Sequence, residues 1–283
     1  MTGAIRELKR SRPDLSITVN TPYSALWKFN PNIDKHTNTS GDGIRVDYQD
    51  EGTNFVGESN ESRIHFGEAF SFAVMEATSL SFPINDIRPD LHLGNDAPDL
   101  DLPDRYWYLN AYGKDALSVK WWIDHRYQQL IDSLTSIPLV TARTAKDRRV
   151  TLTNLTDLGA TTSLRDLIHI IANAAGVITP ISLPMHVAGA FGVPCVVLAG
   201  GSEPVTWERY PGHVFLSTIG RLDCCGGGGC WRRRAHGAHR EDPDKRCLDT
   251  VSSGDIEVAR CMDMISVSEV MEAVELCEQR SQH

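Results

Sequence analysis

From residue 102 onward, short apolar runs alternate with segments of helical spacing, and this alternation limits the chain to few folds. The runs IPLVTA (137–142) and GVITP (176–180) are short and almost continuously apolar, which is typical of strands buried on both faces. Residues 163–174 and 183–191 have the apolar spacing of helices. Strand, helix and strand joined by short connections predict a parallel sheet packed against helices, an α/β fold.

Further elements and a domain boundary are predicted on both sides of this core. Helices are predicted over residues 3–11, 65–81, 121–134 and 267–279, and strands over residues 15–20, 102–113, 150–159 and 194–201. An acidic, proline-bearing stretch at residues 95–103 indicates a domain boundary. We therefore expect an N-terminal domain over residues 1–100 and a C-terminal domain over residues 101–283.

Composition and charge exclude several classes of protein. Hydrophobic residues make up 41% of the 283 residues and charged residues 23%, which is enough to bury a core. The net charge of -9 argues against a generic nucleic-acid binder. No apolar run approaches the roughly 18 residues of a transmembrane helix, and the N-terminus MTGAIRELKRSRPDL is not a secretion signal. We therefore expect a cytoplasmic globular protein with no transmembrane segment.

Open α/β sheets bind ligands beyond the carboxyl ends of their strands, and three segments of the chain hold candidate residues there. Lys120 directly precedes a predicted helix, where its charge and the backbone amides together suit a phosphate group. The alternative is an ordinary exposed lysine. Ser182 and His186 lie where the helix at 183–191 begins. Ser182 is interpreted as a helix cap or an anion-binding residue; the alternative for His186 is a packed core residue.

The third segment, GGSEP (200–204), begins with the two glycines that end the predicted strand at residues 194–201. Gly200 and Gly201 allow a ligand to approach the backbone closely, because neither residue carries a side chain. Glu203 offers a carboxylate that could accept hydrogen bonds from a ribose. The alternative is a simple turn with an exposed acid.

Five of the seven cysteines fall between residues 224 and 261, a cluster that in a reducing compartment is more typical of a metal site than of disulfides. Cys225, Cys230, Cys247 and Cys261 fit a tetrahedral zinc or iron site. The chain also offers substitute ligands, namely Cys224, His236 and His239. Four protein ligands leave no open position for a substrate, so the metal is predicted to be structural. The alternative is a set of buried thiols.

Three consecutive arginines, Arg232, Arg233 and Arg234, follow the first cysteines. They could bind phosphate groups of an acceptor. The alternative is a solvated loop balanced by Glu241, Asp242, Asp244.

In order and spacing, the motifs resemble glycosyltransferase family 9, the ADP-heptose:lipopolysaccharide heptosyltransferases. They are KWW (120–122), TPISLPMHVAGAF (179–191) and LAGGSEPVTWERYP (198–211), and residues 4–34 resemble the first helix and second strand of that fold. The resemblance implies a GT-B architecture, two Rossmann-like domains facing across a cleft. It also implies an acceptor in the N-terminal domain, a nucleotide-sugar in the C-terminal domain, and inverting transfer without a catalytic metal.

The resemblance assigns roles to single residues. Lys120 matches the lysine that neutralises the donor diphosphate. Ser182 and His186 match the phosphate-facing helix, and Gly200, Gly201 and Glu203 match the loop beside the nucleotide. The segments CCGGGGCW (224–231) and RCMDM (260–264) resemble a subgroup related to autotransporter heptosyltransferases with a four-cysteine iron finger. This metal segment is expected to brace the region beside the cleft or to form a homo-oligomer contact.

The chain departs from the family pattern in two places. Ile181 and Leu183 stand where family members usually have an acidic residue and a glycine. The family also opens with a strand and a Gly-Asp loop whose aspartate is the usual general base, whereas this sequence begins with residues that match those just after it. The catalytic residue is therefore unknown and is expected upstream of Met1. Either Met1 is internal to a longer frame, or the chain is a truncated relative without the first strand.

These observations predict a glycosyltransferase of lipopolysaccharide biosynthesis. It would transfer a sugar, heptose by default, from a nucleotide-diphosphate donor such as ADP-heptose to lipopolysaccharide core or another hydroxyl acceptor. One alternative is a non-catalytic, metal-stabilised relative that binds nucleotide-sugar. Another is a nucleic-acid-associated protein that uses the arginines, and the net charge of -9 argues against it.

Overall fold

The chain forms two compact units in a computed structural model that describes residues 1–38, 43, 46, 63–113, 119–144, 150–231, 247–253 and 256–281. One unit comprises Met1–Pro98 together with Thr206–Tyr210, and the other comprises Asp99–Val205 together with Pro211–His283. Within the described ranges, no helix combines the length and the apolar character needed to span a membrane.

The first unit is built around two helices that pack on each other. Its elements are α1 (Thr2–Ser11), β1 (Thr18–Asn20), a 3-10 turn (Ser24–Trp27), β2 (Lys35–Thr37) and α2 (Phe66–Thr78). Strands β1 and β2 pair in parallel, with Thr18 opposite Lys35. Helix α2 begins with a capping box, in which His65 Nδ1 accepts a hydrogen bond from the Gly67 amide at 3.0 Å. The core of this unit therefore lies between α1 and α2.

The segment Thr206–Tyr210 packs on the start of α2. The Trp207 ring meets the Phe66 ring edge-on, with centroids 5.5 Å apart. The Tyr210 and His65 rings lie 5.1 Å apart. Burial lowers the pKa of His65, although the Glu68 charge opposes the shift. A neutral imidazole is consistent with its nitrogen accepting the cap hydrogen bond.

The second unit contains a parallel sheet of six strands among its described residues. The strands are β3 (Trp107–Leu109), β4 (Leu139–Thr141), β5 (Thr156–Asp157), β6 (Gly176–Pro180), β7 (Cys195–Gly200) and β8 (His213–Ser217). Their order across the sheet is β5-β4-β3-β6-β7-β8. An antiparallel hairpin, β9 (Thr250–Ser253) and β10 (Ile256–Ala259), lies outside this sheet.

Helices of the second unit cover this sheet. They are α3 (Asp124–Ser133), α4 (Leu164–Ala172), α5 (Leu183–Phe191), α7 (Arg260–Asp263) and α8 (Val267–Arg280). Between α5 and α7 in the chain lies the short helix α6 (Val205–Glu208), most of which belongs to the first unit. One hydrophobic core joins three strands to two helices. It contains Leu109 of β3, Ile178 of β6 and Leu198 of β7 together with Leu130 of α3 and Val274 of α8. Helix α5 packs on β6 and β7. The core therefore holds β3, β6 and β7 at the centre of the unit.

The sequence predictions match most of these elements but not their lengths. Helix α5 has the predicted bounds, and Ser163 caps α4 as expected, accepting a hydrogen bond from the Asp166 amide at 3.2 Å. The segment 102–113 was predicted as a strand that runs into a glycine turn, and within it Trp107–Leu109 forms the strand. Strand β8 and the β9–β10 hairpin were not predicted, because only pairing with other strands distinguishes such short segments from loops.

Gly176 of β6 lies directly against the ring of Trp107, its partner on the neighbouring strand β3. A Cβ at Gly176 would lie 2.4 Å from the Trp107 ring, which is fully buried and cannot move away. We expect Gly176→Ala to lower the free energy of unfolding by about 2 kcal/mol, because it overpacks a rigid core. Urea unfolding measures this change. Gly227→Ala is the control, since its Cβ would meet no atom within 4 Å, and a loss as large as that of Gly176→Ala would contradict the explanation.

Candidate functional site

Three loops at one edge of the second unit carry most of the residues predicted to bind a ligand. They follow β3, β6 and β7, which are adjacent in the sheet and parallel. Their carboxyl ends therefore lie side by side, and the loops that follow them are neighbours. Lys120 belongs to the first loop, Ser182 to the second and Glu203 to the third.

Lys120 bridges the second and third loops. Its Nζ lies 2.5 Å from Glu203 Oε1 and donates a hydrogen bond to the Ile181 carbonyl at 3.2 Å. The side chains of Lys120 and Glu203 are 22% and 2% exposed. Lys120 is therefore not an ordinary solvated lysine, and Glu203 is not an exposed acid on a turn.

The predicted position of Lys120 at a helix N-terminus is wrong. Helix α3 begins at Asp124, with Ile123 in extended conformation at its N-cap position. Between Lys120 and the helix, Trp121, Trp122 and Ile123 are buried, and this anchors the chain in the core before the helix begins. The ammonium is placed by Glu203 and Ile181 and not by the helix dipole.

Ser182 occupies the N-cap position of α5, but the prediction that its side chain caps the helix is wrong, since its hydroxyl makes no capping hydrogen bond. The hydroxyl instead accepts a hydrogen bond from Asn110 Nδ2 at 3.0 Å and donates one to the Pro180 carbonyl at 3.0 Å. It also lies 2.9 Å from Thr179 Oγ1. His186 is half-buried on the same helix. The N-terminus of α5 therefore carries the hydroxyl of Ser182, which bonds to neighbouring protein groups. Anion binding at this position stays a prediction.

The two glycines at the end of β7, Gly200 within the strand and Gly201 directly after it, make room for protein atoms. Gly200 has φ +59°, and a Cβ there would lie 2.5 Å from Met262 Sδ. A Cβ at Gly201 would lie 3.1 Å from Cys225 Sγ and 3.1 Å from Cys261 Cβ. Close packing of the cysteine-containing segments therefore requires these glycines, whether or not a ligand approaches them.

The cysteines surround the same loop. The Ser202 carbonyl accepts hydrogen bonds from the amides of Cys230 at 2.9 Å and Trp231 at 3.0 Å. The Gly201 amide donates a hydrogen bond to the Cys261 sulfur. The Cys225 thiol donates a hydrogen bond to the Leu222 carbonyl at 3.3 Å. The loop between β7 and α6 is thus held by the cysteine-rich segments.

The predicted metal ligands share one region of the fold. Burial, and then the nearby Cys261, Cys247, Cys224 and Cys225, together raise the pKa of Cys230 to about 12. Burial likewise raises the pKa of Cys261 to about 11. None of the seven cysteines forms a disulfide. Among the described residues, however, no three His, Cys, Asp or Glu side chains converge closely enough to hold a metal ion.

Several predicted residues fall outside the described ranges. They are the substitute ligands His236 and His239, the arginines Arg232, Arg233 and Arg234, and the acids Glu241, Asp242 and Asp244.

The sequence analysis missed polar residues at this edge. Asn110 directly follows β3, and Thr179 is the penultimate residue of β6. Asn110 Nδ2 donates a hydrogen bond to Thr179 Oγ1 at 3.0 Å. Tyr112 donates a hydrogen bond to Asp157 Oδ2 at 3.4 Å, and the Arg143 guanidinium lies 5.9 Å from the Tyr112 ring centre. Burial, and then the Asp157 charge, raise the pKa of Tyr112 to about 12. The rule that ligands bind at strand ends would have found Asn110.

Residues 103–218, which contain all three loops, match the family model of glycosyltransferase family 9 (heptosyltransferase). The match covers less than half of the chain. The resemblance inferred from the motifs is thereby confirmed over these residues. The family 9 segment ends before Cys224, so the cysteine cluster lies beyond the match. No curated protein sequence matches the chain.

Solved structures share the fold of the whole chain at low identity. A family 9 glycosyl transferase from Veillonella parvula has a TM-score of 0.64 and 15% identity, over 99% of this chain and 93% of its own. Escherichia coli ADP-heptose lps heptosyltransferase II has a TM-score of 0.60 and 14% identity, over 100% and 95%. TibC from enterotoxigenic E. coli H10407, an iron-containing dodecameric glycosyltransferase, has a TM-score of 0.63 and 15% identity, over 100% and 73%.

These likenesses and the parallel sheet confirm the predicted α/β class and the GT-B fold. TibC is also known in complex with ADP-D-β-D-heptose. The family and its structural neighbours are glycosyltransferases.

Proposed function

We propose that this protein is a glycosyltransferase whose donor is a nucleoside-diphosphate sugar, with ADP-heptose as the default. The donor would bind at the carboxyl ends of β3, β6 and β7, and the first unit would bind the acceptor, a hydroxyl of lipopolysaccharide core or of another molecule. The observation that carries the proposal is Lys120, an ammonium held at this edge inside the family 9 segment.

Sugar transfer needs a cationic group at this place. The bond between the anomeric carbon and the diphosphate oxygen would break as the acceptor oxygen bonds to the same carbon with inversion, and the proton of the acceptor hydroxyl would pass to a general base. Negative charge then accumulates on the departing diphosphate, and a pre-positioned ammonium stabilises it. Lys120 would supply that charge. Ser182 and His186 would line the diphosphate from α5, and the backbone of Gly200 and Gly201 would lie beside the nucleotide.

We further infer that Cys225, Cys230, Cys247 and Cys261 hold an iron or zinc ion, with Cys224 as a substitute ligand. Support comes from the packing of Cys225 and Cys261 against Gly201, from the effect of the neighbouring cysteines on the pKa of Cys230, and from four soft sulfur ligands suited to either metal. Binding requires the side chains to rotate toward one point. The metal would brace the loop after β7, and a homo-oligomer would match the dodecameric TibC.

Calorimetric titration with ADP, UDP and GDP tests the donor proposal. We expect ADP to bind at least about tenfold more tightly than the other two, since one nucleobase fits a specific site. Release of ADP from ADP-heptose in the presence of an acceptor would establish transfer. Binding without transfer would support the non-catalytic alternative. Absence of binding by all three nucleotides would contradict the proposal.

A further inference from the structure

The ion pair between Lys120 and Glu203 suggests a role for Glu203 that differs from contact with a ribose. The carboxylate is almost completely buried, and one of its oxygens lies 2.5 Å from the ammonium. A buried carboxylate is costly without a cationic partner, so the pair is expected to persist in the folded protein. The Glu203 carboxylate is therefore paired with Lys120, and because it is buried it is poorly placed to reach a sugar hydroxyl.

The backbone around Glu203 is fixed from outside the loop. The residue before it, Ser202, accepts two amide hydrogen bonds from Cys230 and Trp231. One residue earlier, Gly201 lies against Cys225 and Cys261. The Glu203 carboxylate thus has a defined position that does not depend on a bound ligand.

Lys120 gains its own position from this arrangement. A lysine side chain has four rotatable bonds, and ordering it costs conformational entropy. Glu203 and the Ile181 carbonyl, which belong to two different loops, hold the ammonium at one place before a ligand arrives. A diphosphate that meets a pre-positioned ammonium does not have to order it.

We propose that Glu203 is a positioning residue, which acts on the donor diphosphate through Lys120 and does not bind the ribose. This inference rests on the proposed function, because it assumes that Lys120 meets a diphosphate. It assigns the cysteine-rich segments a role as the support of the Glu203 loop.

The test compares three probes that share parts of the donor: ADP, inorganic diphosphate and adenosine. The variant is Glu203→Asp, which keeps the negative charge and withdraws the carboxylate by one carbon–carbon bond, about 1.5 Å. A glutamine would change both the position of the ammonium and the charge of the site, and these effects oppose each other. Glu208→Asp is the matched control, because Glu208 is a buried acid on the following helix.

We expect Glu203→Asp to weaken the binding of ADP and of inorganic diphosphate by the same factor, about tenfold, and to leave the affinity for adenosine unchanged. In a Lys120→Met background, Glu203→Asp should cause no further loss, because the residue through which it acts is gone. Glu208→Asp should leave all three affinities unchanged. Calorimetric titration gives the affinities, and thermal unfolding shows whether each variant is folded.

Three results would overturn the inference. The first is weaker binding of ADP and adenosine with the affinity for inorganic diphosphate unchanged, which would place Glu203 at the ribose. The second is an equal loss for all three probes, which would indicate a merely structural role. The third is wild-type affinity for ADP and diphosphate in Glu203→Asp. Failure of the wild-type protein to bind ADP and diphosphate at all would instead contradict the proposed function.

Discussion

Lys120→Met is expected to weaken ADP binding about 30-fold, which corresponds to about 2 kcal/mol. The ammonium would make charge-assisted hydrogen bonds to the diphosphate, and such bonds contribute about 1.5–3 kcal/mol each. Methionine keeps the length and apolar volume of the side chain but cannot neutralise an anion. Calorimetric titration with ADP measures the change, and an affinity equal to that of the wild type would contradict the diphosphate role.

The same substitution is expected to destabilise the fold. It leaves the buried Glu203 carboxylate without its partner, which costs about 3 kcal/mol and lowers the thermal midpoint by roughly 6–12 °C. Adding Glu203→Gln removes the buried charge and should restore most of the midpoint, but not the ADP affinity. Restoration of both would show that Lys120 serves only to neutralise Glu203.

Cys230→Ser is expected to reduce bound iron plus zinc from near one equivalent per chain to below about 0.2, because a four-thiolate site that loses one ligand retains its ion poorly. The thermal midpoint should fall by at least about 5 °C, since metal binding contributes directly to folding. Cys230 is chosen because it is buried and because the other four thiols all affect its pKa. Elemental analysis of purified protein measures the metal.

Cys277→Ser is the matched control for the metal experiment. Cys277 is also a buried thiol, but it lies on α8 and outside the cysteine cluster. It should therefore retain the full metal content, whatever its effect on stability. A wild-type protein with less than about 0.2 equivalents of metal would contradict the four-thiolate site, since such sites normally retain their ion.

The local sequence pattern predicted the elements of the second unit well where helical spacing or a continuous apolar run was strong. Helix α5 and the core of β7 are examples, because their apolar residues are buried in the way the pattern implies. It failed for β8 and the hairpin, whose strands are defined by their neighbours. It also placed Lys120 at a helix N-terminus, because the buried segment 121–123 has the same apolar character as a first helical turn.

The candidate site divides in the same way. Every residue proposed for the donor was found from its place after a strand or from the family resemblance, and the family match over residues 103–218 confirms that resemblance. What each residue contacts was not predictable. Ser182 bonds to Asn110 and Pro180 and does not cap its helix, because the neighbouring strand brings an amide within reach of its hydroxyl.

The sequence by itself determined the α/β class, the strand ends that carry polar residues, the clustering of cysteines and the family resemblance of residues 103–218. These properties depend on residues close together in the chain or on their order along it. Only the tertiary structure decided that Glu203 pairs with Lys120 and that Cys225 and Cys261 pack against Gly201. The physical reason is that such contacts join segments far apart in sequence, and the order of strands across the sheet, which no local pattern encodes, brings those segments together.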